Sequence, residues 1–244
     1  MNLFYTPLIQ GDTHLLGEPE SKHAIRVLRL ARGERLVLVD GKGGWYEAKI
    51  EEDHPKRCLL RILSKQENYQ PLGYSLHLAV APTKNMERFE WFLEKSTEIG
   101  ISEITPILCK RSERKQVKMD RLERILIAAM KQSLKAHKPV MNKAISFEEF
   151  IRLDHPGTRG IAACFGSERV GIERLGPEGP FTLMVGPEGD FTGEEVQSAI
   201  QAGFAPFHLG RSRLRTETAA VYIAAAVSIL QQQQNQTGIK KEGL

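Results

Sequence analysis

The spacing of apolar positions changes near residue 70. Before it, apolar and polar residues alternate in short runs. LVLVDGKGGWYEAKI (36–50) reads as two β-rich runs around Asp40-Gly41-Lys42-Gly43-Gly44, a hairpin signal, and CLLRIL (58–63) reads as a further strand. One short helix is expected from Glu20 to Leu28, with Pro19 suited to its first turn and Ile25 and Leu28 turned toward the strands. ENYQPLGY (67–74) is polar, carries Pro and Gly, and reads as a linker.

Beyond the linker, strands alternate with helices. SLHLAVA (75–81) predicts a strand. MERFEWFLEKSTEIG (86–100) predicts a helix with Met86, Phe89, Phe92, Leu93 and Ile99 on one side, stopped by Gly100. EITPILC (103–109) predicts a strand, and DRLERILIAAMKQSLKA (120–136) a helix capped by Asp120. GIAACF (160–165), FTLMV (181–185) and FAPFHL (204–209) read as short strands. Thr192 and Glu195 form a T-x-x-E capping box that opens a helix over 193–202. TETAAVYIAAAVSILQQ (216–232) predicts a long helix, and the tail QQQQNQTGIKKEGL is expected to fray. This alternation predicts an α/β domain with a mostly parallel sheet. The expected organisation is therefore two domains, residues 1–70 and 74–244.

Composition narrows the chemistry. Cys58, Cys109 and Cys164 are odd in number and far apart, so no disulfide framework or zinc site is expected. The seven histidines are scattered. No metal is expected. No run of about 18 apolar residues exists, so no membrane span is expected. The N-terminus does not read as a signal peptide, and a cytoplasmic location is expected.

The net charge of +4 is unevenly placed: residues 71–140 carry 13 basic against 8 acidic residues. KRSERKQVK (110–118) concentrates the excess in Lys110, Arg111, Arg114, Lys115 and Lys118. On the early helix, Lys22, Arg26 and Arg29 fall at i, i+4 and i+7 as one stripe. Both stretches suit a polyanion. Each is equally readable as a solvated face.

Two strand-to-helix turns carry the candidate chemistry, LMVGPEGDFTGEEV (183–196) and HLGRSRLRTETAA (208–220). Ligands of α/β sheets bind at such strand ends. A phosphate suits a helix N-terminus, but Glu188 and Asp190 would repel one, and neither a P-loop nor GxGxxG is present. A cationic or neutral ligand fits better. S-adenosylmethionine carries a sulfonium, and a glycine such as Gly189 lets backbone approach it closely. A tight turn built from Gly and Pro is the plainer alternative.

VGPEGDFT followed some twenty residues later by LG-x-x-x-LRTETA resembles the SPOUT superfamily of methyltransferases. Within it, the chain is similar to the bacterial family that methylates N3 of a uridine in 16S ribosomal RNA. HAIRVLRLARGERLVLVDGKG resembles that family's RNA-binding, PUA-like β-barrel, and KSTEIGISEITPILCKRS its first α/β segment. The resemblance implies a deep trefoil knot in the C-terminal SPOUT domain and a homodimer with active sites at its interface. The substrate is then 16S rRNA or the assembled small subunit. It places S-adenosylmethionine against three stretches, Ala163 to Gly166, Val185 through Gly189 and Leu209 through Ala219, and within them on Ala163, Phe165 and Gly166; on Val185, Gly186, Glu188 and Gly189; and on Leu209, Gly210, Leu214, Arg215, Thr216, Glu217, Thr218 and Ala219. The two basic stretches supply the expected RNA contacts, Lys22, Arg26, Arg29, Lys110, Arg111, Arg114 and Lys115. Two departures touch the base-binding side. Ser212 stands where the family usually has Arg, and Gln132-Ser133-Leu134-Lys135 stands where it has QCGR.

The expected catalytic residues are Arg111 and Arg215, stabilising a deprotonated uridine, and Glu188, as base or sulfonium neighbour. The bland alternatives are an Arg111 that contacts phosphate, an Arg215–Glu217 pair bracing the helix start, and a Glu188 that caps the next helix. Two rival functions remain open: ribose 2′-O-methylation, and an RNA-binding assembly factor without catalysis. The last helix is apolar on nearly all sides and is expected to join the dimer contact.

Overall fold

The computed structural model describes residues 2–164, 169–175 and 179–239, the last six by backbone alone. The chain divides into two compact units. The first comprises Met1–Pro71 together with Ile127–Lys138. The second comprises Leu72–Leu126 and Pro139–Leu244.

The first unit holds β1 (Leu3–Tyr5), β2 (Thr13–Leu15), α1 (Glu18–Lys22), β3 (Arg35–Val39), β4 (Trp45–Glu52) and β5 (Leu59–Gln66). The strands form one sheet in the order β1-β3-β4-β5-β2, antiparallel except for β1 against β3. The two edges approach through Thr6 Oγ1 and His14 Nε2, 3.1 Å apart. The expected hairpin joins β3 and β4. Asp40 Oδ1 organises its turn by accepting the Lys42 and Gly44 N–H groups at 2.7 and 2.9 Å. Alternate residues of β4, including Ala48 and Ile50, bury with Phe4, Leu16, Leu38 and Leu60.

The short helix departs from expectation. It starts at Glu18 and widens into a π-helical turn over His23–Val27. Arg29 ends it with φ +57°. The wider turn rotates the face, so Ala24 and Leu30 are buried while Leu28 stays 38% exposed. Lys22, Arg26 and Arg29 are all exposed. Arg29 lies past the helix, so the three do not form one helical stripe.

The second unit begins with β6 (Leu76–Val80), α2 (Met86–Ile99) and β7 (Glu103–Leu108). Then come α3 (Met119–Gln132), which runs into the first unit, β8 (Val140–Met141), β9 (Ile145–Ser146) and α4 (Phe147–Arg152). β10 (Thr158–Ala162), β11 (Val170–Gly171), β12 (Phe181–Val185), α5 (Gly193–Gln201), β13 (Ala205–His208) and α6 (Thr216–Ile239) complete it. The sheet order is β11-β13-β10-β12-β6-β7-β8, with β9 also on β7, and every pair is parallel. Leu76, Leu78 and Val80 pack on one face with Phe89, Phe92, Ile223 and Val227. Ala79 and Ala81 pack on the other with Phe147, Phe150, Phe191 and Phe204. Both faces are covered, as a parallel sheet requires.

Three helix boundaries differ from the sequence reading. α3 starts at Met119, so Asp120 sits inside its first turn rather than capping it. Its end at Gln132 comes early because Leu134 turns left-handed, φ +54°, while Leu134 N–H and Lys135 N–H donate to Lys131 and Met130 carbonyls. This is a Schellman ending with Leu where glycine is usual. Leu134 is 42% exposed, so Leu134→Gly loses little burial and relieves the left-handed strain. It should stabilise the protein by about 1 kcal/mol, read as a higher urea midpoint at unchanged slope. α6 continues past Gln232 to Ile239, through residues expected to fray. α4 went unread, although its S-x-x-E box, Ser146 with Glu149, is fully formed.

His77 at the start of β6 lies in the sheet interior, with Nε2 2.7 Å from Thr105 Oγ1 and 3.9 Å from Glu103. Burial pushes its pKa down to about 4; Glu103 opposes this and His155 adds to it. The unfolded chain therefore takes up this proton first, near pH 6.5. The contribution is complete above that pH and is lost as pH falls toward about 4, on the order of 3 kcal/mol. His77→Gln should flatten the fall in urea midpoint between pH 7 and 4.5 relative to the wild type.

Candidate active site

Three chain segments meet where β10, β12 and β13 end. They enclose a cavity of ≈ 1240 Å³ lined by Ala162–Cys164, by Val185–Glu188 with Asp190, and by Phe207–Thr216, with Arg169 and Ala219. Its position at the carboxyl ends of parallel strands is where ligands of such sheets sit.

Side chains tie the segments to one another. Thr216 Oγ1, buried at the start of α6, donates to the Gly186 carbonyl at 2.9 Å. Asp190 Oδ2 accepts the Cys164 N–H at 3.0 Å, and its Oδ1 accepts the Phe191 N–H at 2.8 Å. Asp190 closes the Pro187–Asp190 turn through its own N–H and has φ +62°, a left-handed backbone that Asp tolerates. Glu188 Oε1 accepts the Lys84 N–H at 2.9 Å, joining the turn to the segment after β6. Its Oε2 makes no hydrogen bond among the described residues. Thr192, not Glu188, caps α5, in the capping box expected with Glu195.

The glycines divide by role. A Cβ at Gly186 would lie 3.0 Å from the Phe191 ring and 3.1 Å from its backbone nitrogen. At Gly189 a Cβ would meet only the Arg111 side chain, at an ordinary 3.4 Å. Gly186, not Gly189, is thus the position where an added side chain crowds its neighbours. Gly210 has φ +100° with open space around it, so conformation alone calls for glycine there.

Of the expected cofactor contacts, Ala163, Val185, Gly186, Glu188, Leu209, Gly210, Leu214, Arg215, Thr216 and Ala219 line the cavity. Gly189, Glu217 and Thr218 do not. Phe165 and Gly166 lie outside the described residues. Glu217 is buried and its nearest cation is Arg88 of α2, with Nε 3.9 Å from Oε1, so it does not pair with Arg215. Its Oε2 has no partner. Arg111 stands behind the turn and donates from Nη1 to the Gly189 and Phe191 carbonyls at 2.8 and 3.4 Å.

The sequence reading missed Ala162, Arg169, Asp190, Phe207 and His208 as cavity lining. Asp190 was visible as the second acid of GPEGD. Arg169 needed the three-dimensional path of the chain. Burial and neighbouring Asp190 push the Cys164 thiol up, so it stays protonated at neutral pH. Much of the basic stretch 110–118 serves the fold: Lys110 pairs with Glu194, and Arg114 donates to the Lys84 carbonyl. Among the described residues, no group of His, Cys, Asp and Glu is placed to hold a metal, and no helix is long and apolar enough to cross a membrane.

Residues 70–228 match the family model described as an RNA methyltransferase domain. The chain belongs to this RNA methyltransferase family. Residues 16–63 of the methyltransferase match the RNA methyltransferase PUA domain, within the first unit. The Aquifex aeolicus protein named ribosomal RNA small subunit methyltransferase E is 30% identical over 94% of this chain and 99% of its own. The Synechocystis protein of the same name is also 30% identical, over 84% and 69%. Among solved structures, a probable rRNA-methyltransferase from Porphyromonas gingivalis is 40% identical, with a TM-score of 0.90 over 96% of this chain and 100% of that one. The ribosomal RNA small subunit methyltransferase E of Neisseria gonorrhoeae, bound to S-adenosyl methionine, is 30% identical, with a TM-score of 0.84 over 94% and 98%. The fold is that of these methyltransferases, an N-terminal PUA domain with a mostly parallel α/β domain.

Proposed function

We propose that the protein transfers the methyl group of S-adenosylmethionine to N3 of a uridine in 16S ribosomal RNA, as a cytoplasmic homodimer. The observation that carries this reading is the cavity formed by the three segments at the strand ends. Its donor set suits the cofactor. Ala162, Ala163, Val185, Phe207, Leu209 and Leu214 offer apolar walls for an adenosine, and Glu188 and Asp190 offer negative charge to a sulfonium. Bound there, the cofactor supplies an electrophilic methyl group, so the transfer needs no metal.

The chain's own task is to align and deprotonate the base. The Arg215 guanidinium, exposed at the cavity, stabilises negative charge on the imide. Glu188, with one oxygen held by Lys84 N–H and the other open, accepts the N3 proton. Arg111 holds the carbonyls of the turn that presents Glu188, a positioning role. The first unit, through Lys22, Arg26 and Arg29, takes RNA phosphates, with Lys110, Arg114 and Lys115 as further contacts. A trefoil knot through the cavity segments belongs to the same reading.

A nucleoside digest of 16S rRNA from cells lacking the protein should lack one 3-methyluridine and regain it on complementation. Loss of a 2′-O-methylated nucleoside instead would transfer the reading to the sibling chemistry. An unchanged digest would remove the catalytic reading.

A further inference from the structure

The charge around the cavity exceeds what its cofactor can use. Arg169, Arg211, Arg213 and Arg215 line it against Glu188 and Asp190. Both carboxylates already accept backbone N–H groups, Glu188 from Lys84 and Asp190 from Cys164 and Phe191. S-adenosylmethionine carries a sulfonium and an ammonium against one carboxylate. It is a net cation, and one guanidinium is enough for its single anionic group. Arg211, Arg213 and Arg215 sit on one exposed loop and have no ion-pair partner among the described residues. Glu188 and Asp190 offset part of this charge but leave a positive excess around a cationic ligand, which a further anion in the same space would offset.

Volume points the same way. Pockets for one small ligand run to roughly 300–1,000 Å³. This cavity, at ≈ 1240 Å³, has room for a second occupant beside the cofactor. An N3 acceptor lies on the pairing edge of its base, so the nucleotide must leave its stack to enter, and its flanking phosphates then come to the cavity rim.

We propose that Arg211 and Arg213 form the phosphate clamp for the flipped target nucleotide, with the cofactor in the other half of the cavity. The proposal rests on the RNA-methylating reading given above. Gly210, with φ +100°, sets the direction in which the loop leaves β13. Ser212 lies between the two arginines on this loop.

The test uses the full chain with Arg211 and Arg213 both changed to Ala, and a second variant with both changed to Lys. Calorimetry with S-adenosylmethionine alone should give wild-type affinity in both. Binding of a fluorescein-labelled single-stranded oligouridylate should weaken roughly tenfold in the Ala pair, and its log–log salt slope should flatten by about 1.4, or about 0.7 per phosphate lost. The Lys pair should restore that slope, because Lys still neutralises a phosphate as a point charge. Methyl transfer to small subunits should show a raised KM in the Ala pair. An active wild type whose Ala pair keeps its salt slope and KM overturns the clamp alone. Loss of cofactor affinity in the Ala pair also overturns it, by assigning these arginines to the cofactor half. A wild type that binds oligouridylate through the clamp but methylates no RNA overturns the functional reading and leaves the clamp standing.

Discussion

Gly186→Val is expected to remove S-adenosylmethionine binding to below calorimetric detection. A Cβ at this position already lies 3.0–3.1 Å from Phe191, and valine adds two further carbons. Phe191 cannot retreat. It is fully buried among Phe147, Met184 and Ala199, and its N–H is held by Asp190 Oδ1. The strain must therefore go into the turn itself, at about 1–3 kcal/mol for an overpacked site. The Gly186 carbonyl is also the acceptor for Thr216, so displacing it loosens the start of α6 at the same time. Two of the three cavity segments lose their registry together. Thermal unfolding should show a folded protein with a lower Tm. Gly189→Ala, whose new Cβ meets only the flexible Arg111 side chain, should bind the cofactor nearly normally. Normal binding by Gly186→Val would mean that the cofactor does not depend on this turn.

Ile229→Glu is expected to convert the proposed homodimer into a folded monomer. α6 packs Ala220, Ile223, Ala224 and Val227 into its own unit's core. It leaves Tyr222 48% and Ile229 55% exposed, one face without a partner on a helix otherwise spent on the core. A carboxylate in the centre of an apolar contact costs several kcal/mol when unpaired. It costs almost nothing where the side chain already meets water. Ala226→Glu is the less clean test, because Ala226 is half-buried against the same core and its substitution also burdens the monomer. Sedimentation at micromolar concentration should separate wild type from Ile229→Glu. The same samples titrated with S-adenosylmethionine should show weaker binding in the monomer, since α6 begins at Thr216 in the cavity wall. A wild type that sediments as a monomer ends the dimer reading. A monomeric variant with normal cofactor affinity ends the coupling alone.

Some of this is legible in the sequence. FTLMV is apolar except for Thr182 and is bounded by Pro180 and Gly186, and it forms a strand with every residue buried. Thr192 and Glu195 specified a helix start by a bond that spans three residues, and the bond is there. Asp40 and its glycines marked the hairpin. These signals share one physical property: the partners are neighbours in the chain, so spacing alone determines whether they can meet. The family resemblance was legible for a related reason, since GPEGD and LRTETA are short contiguous strings.

The errors were also local and have local causes. Asp120 looked like a cap because it precedes an apolar run, yet Met119 already has helical backbone. Leu134 broke α3 early in a conformation that leucine seldom takes. The early helix was read with a period of 3.6, and its π-helical turn moved Leu28 outward.

What the chain alone determined was the longer helices and the main strands, their alternation, and which two turns carry polar groups at strand ends; β1, β2, β8, β9, β11 and α4 went unread. What tertiary structure decided was how those turns are used. Cys164 meets Asp190 across 26 residues, Gly186 meets Thr216 across 30, and Lys84 meets Glu188 across 104. The same placement decided that Arg111 braces a turn while Arg211 and Arg213 face the cavity. Spacing cannot disclose these contacts, because they depend on β12 inserting between β6 and β10, and that order is set by the burial of both faces of the sheet at once.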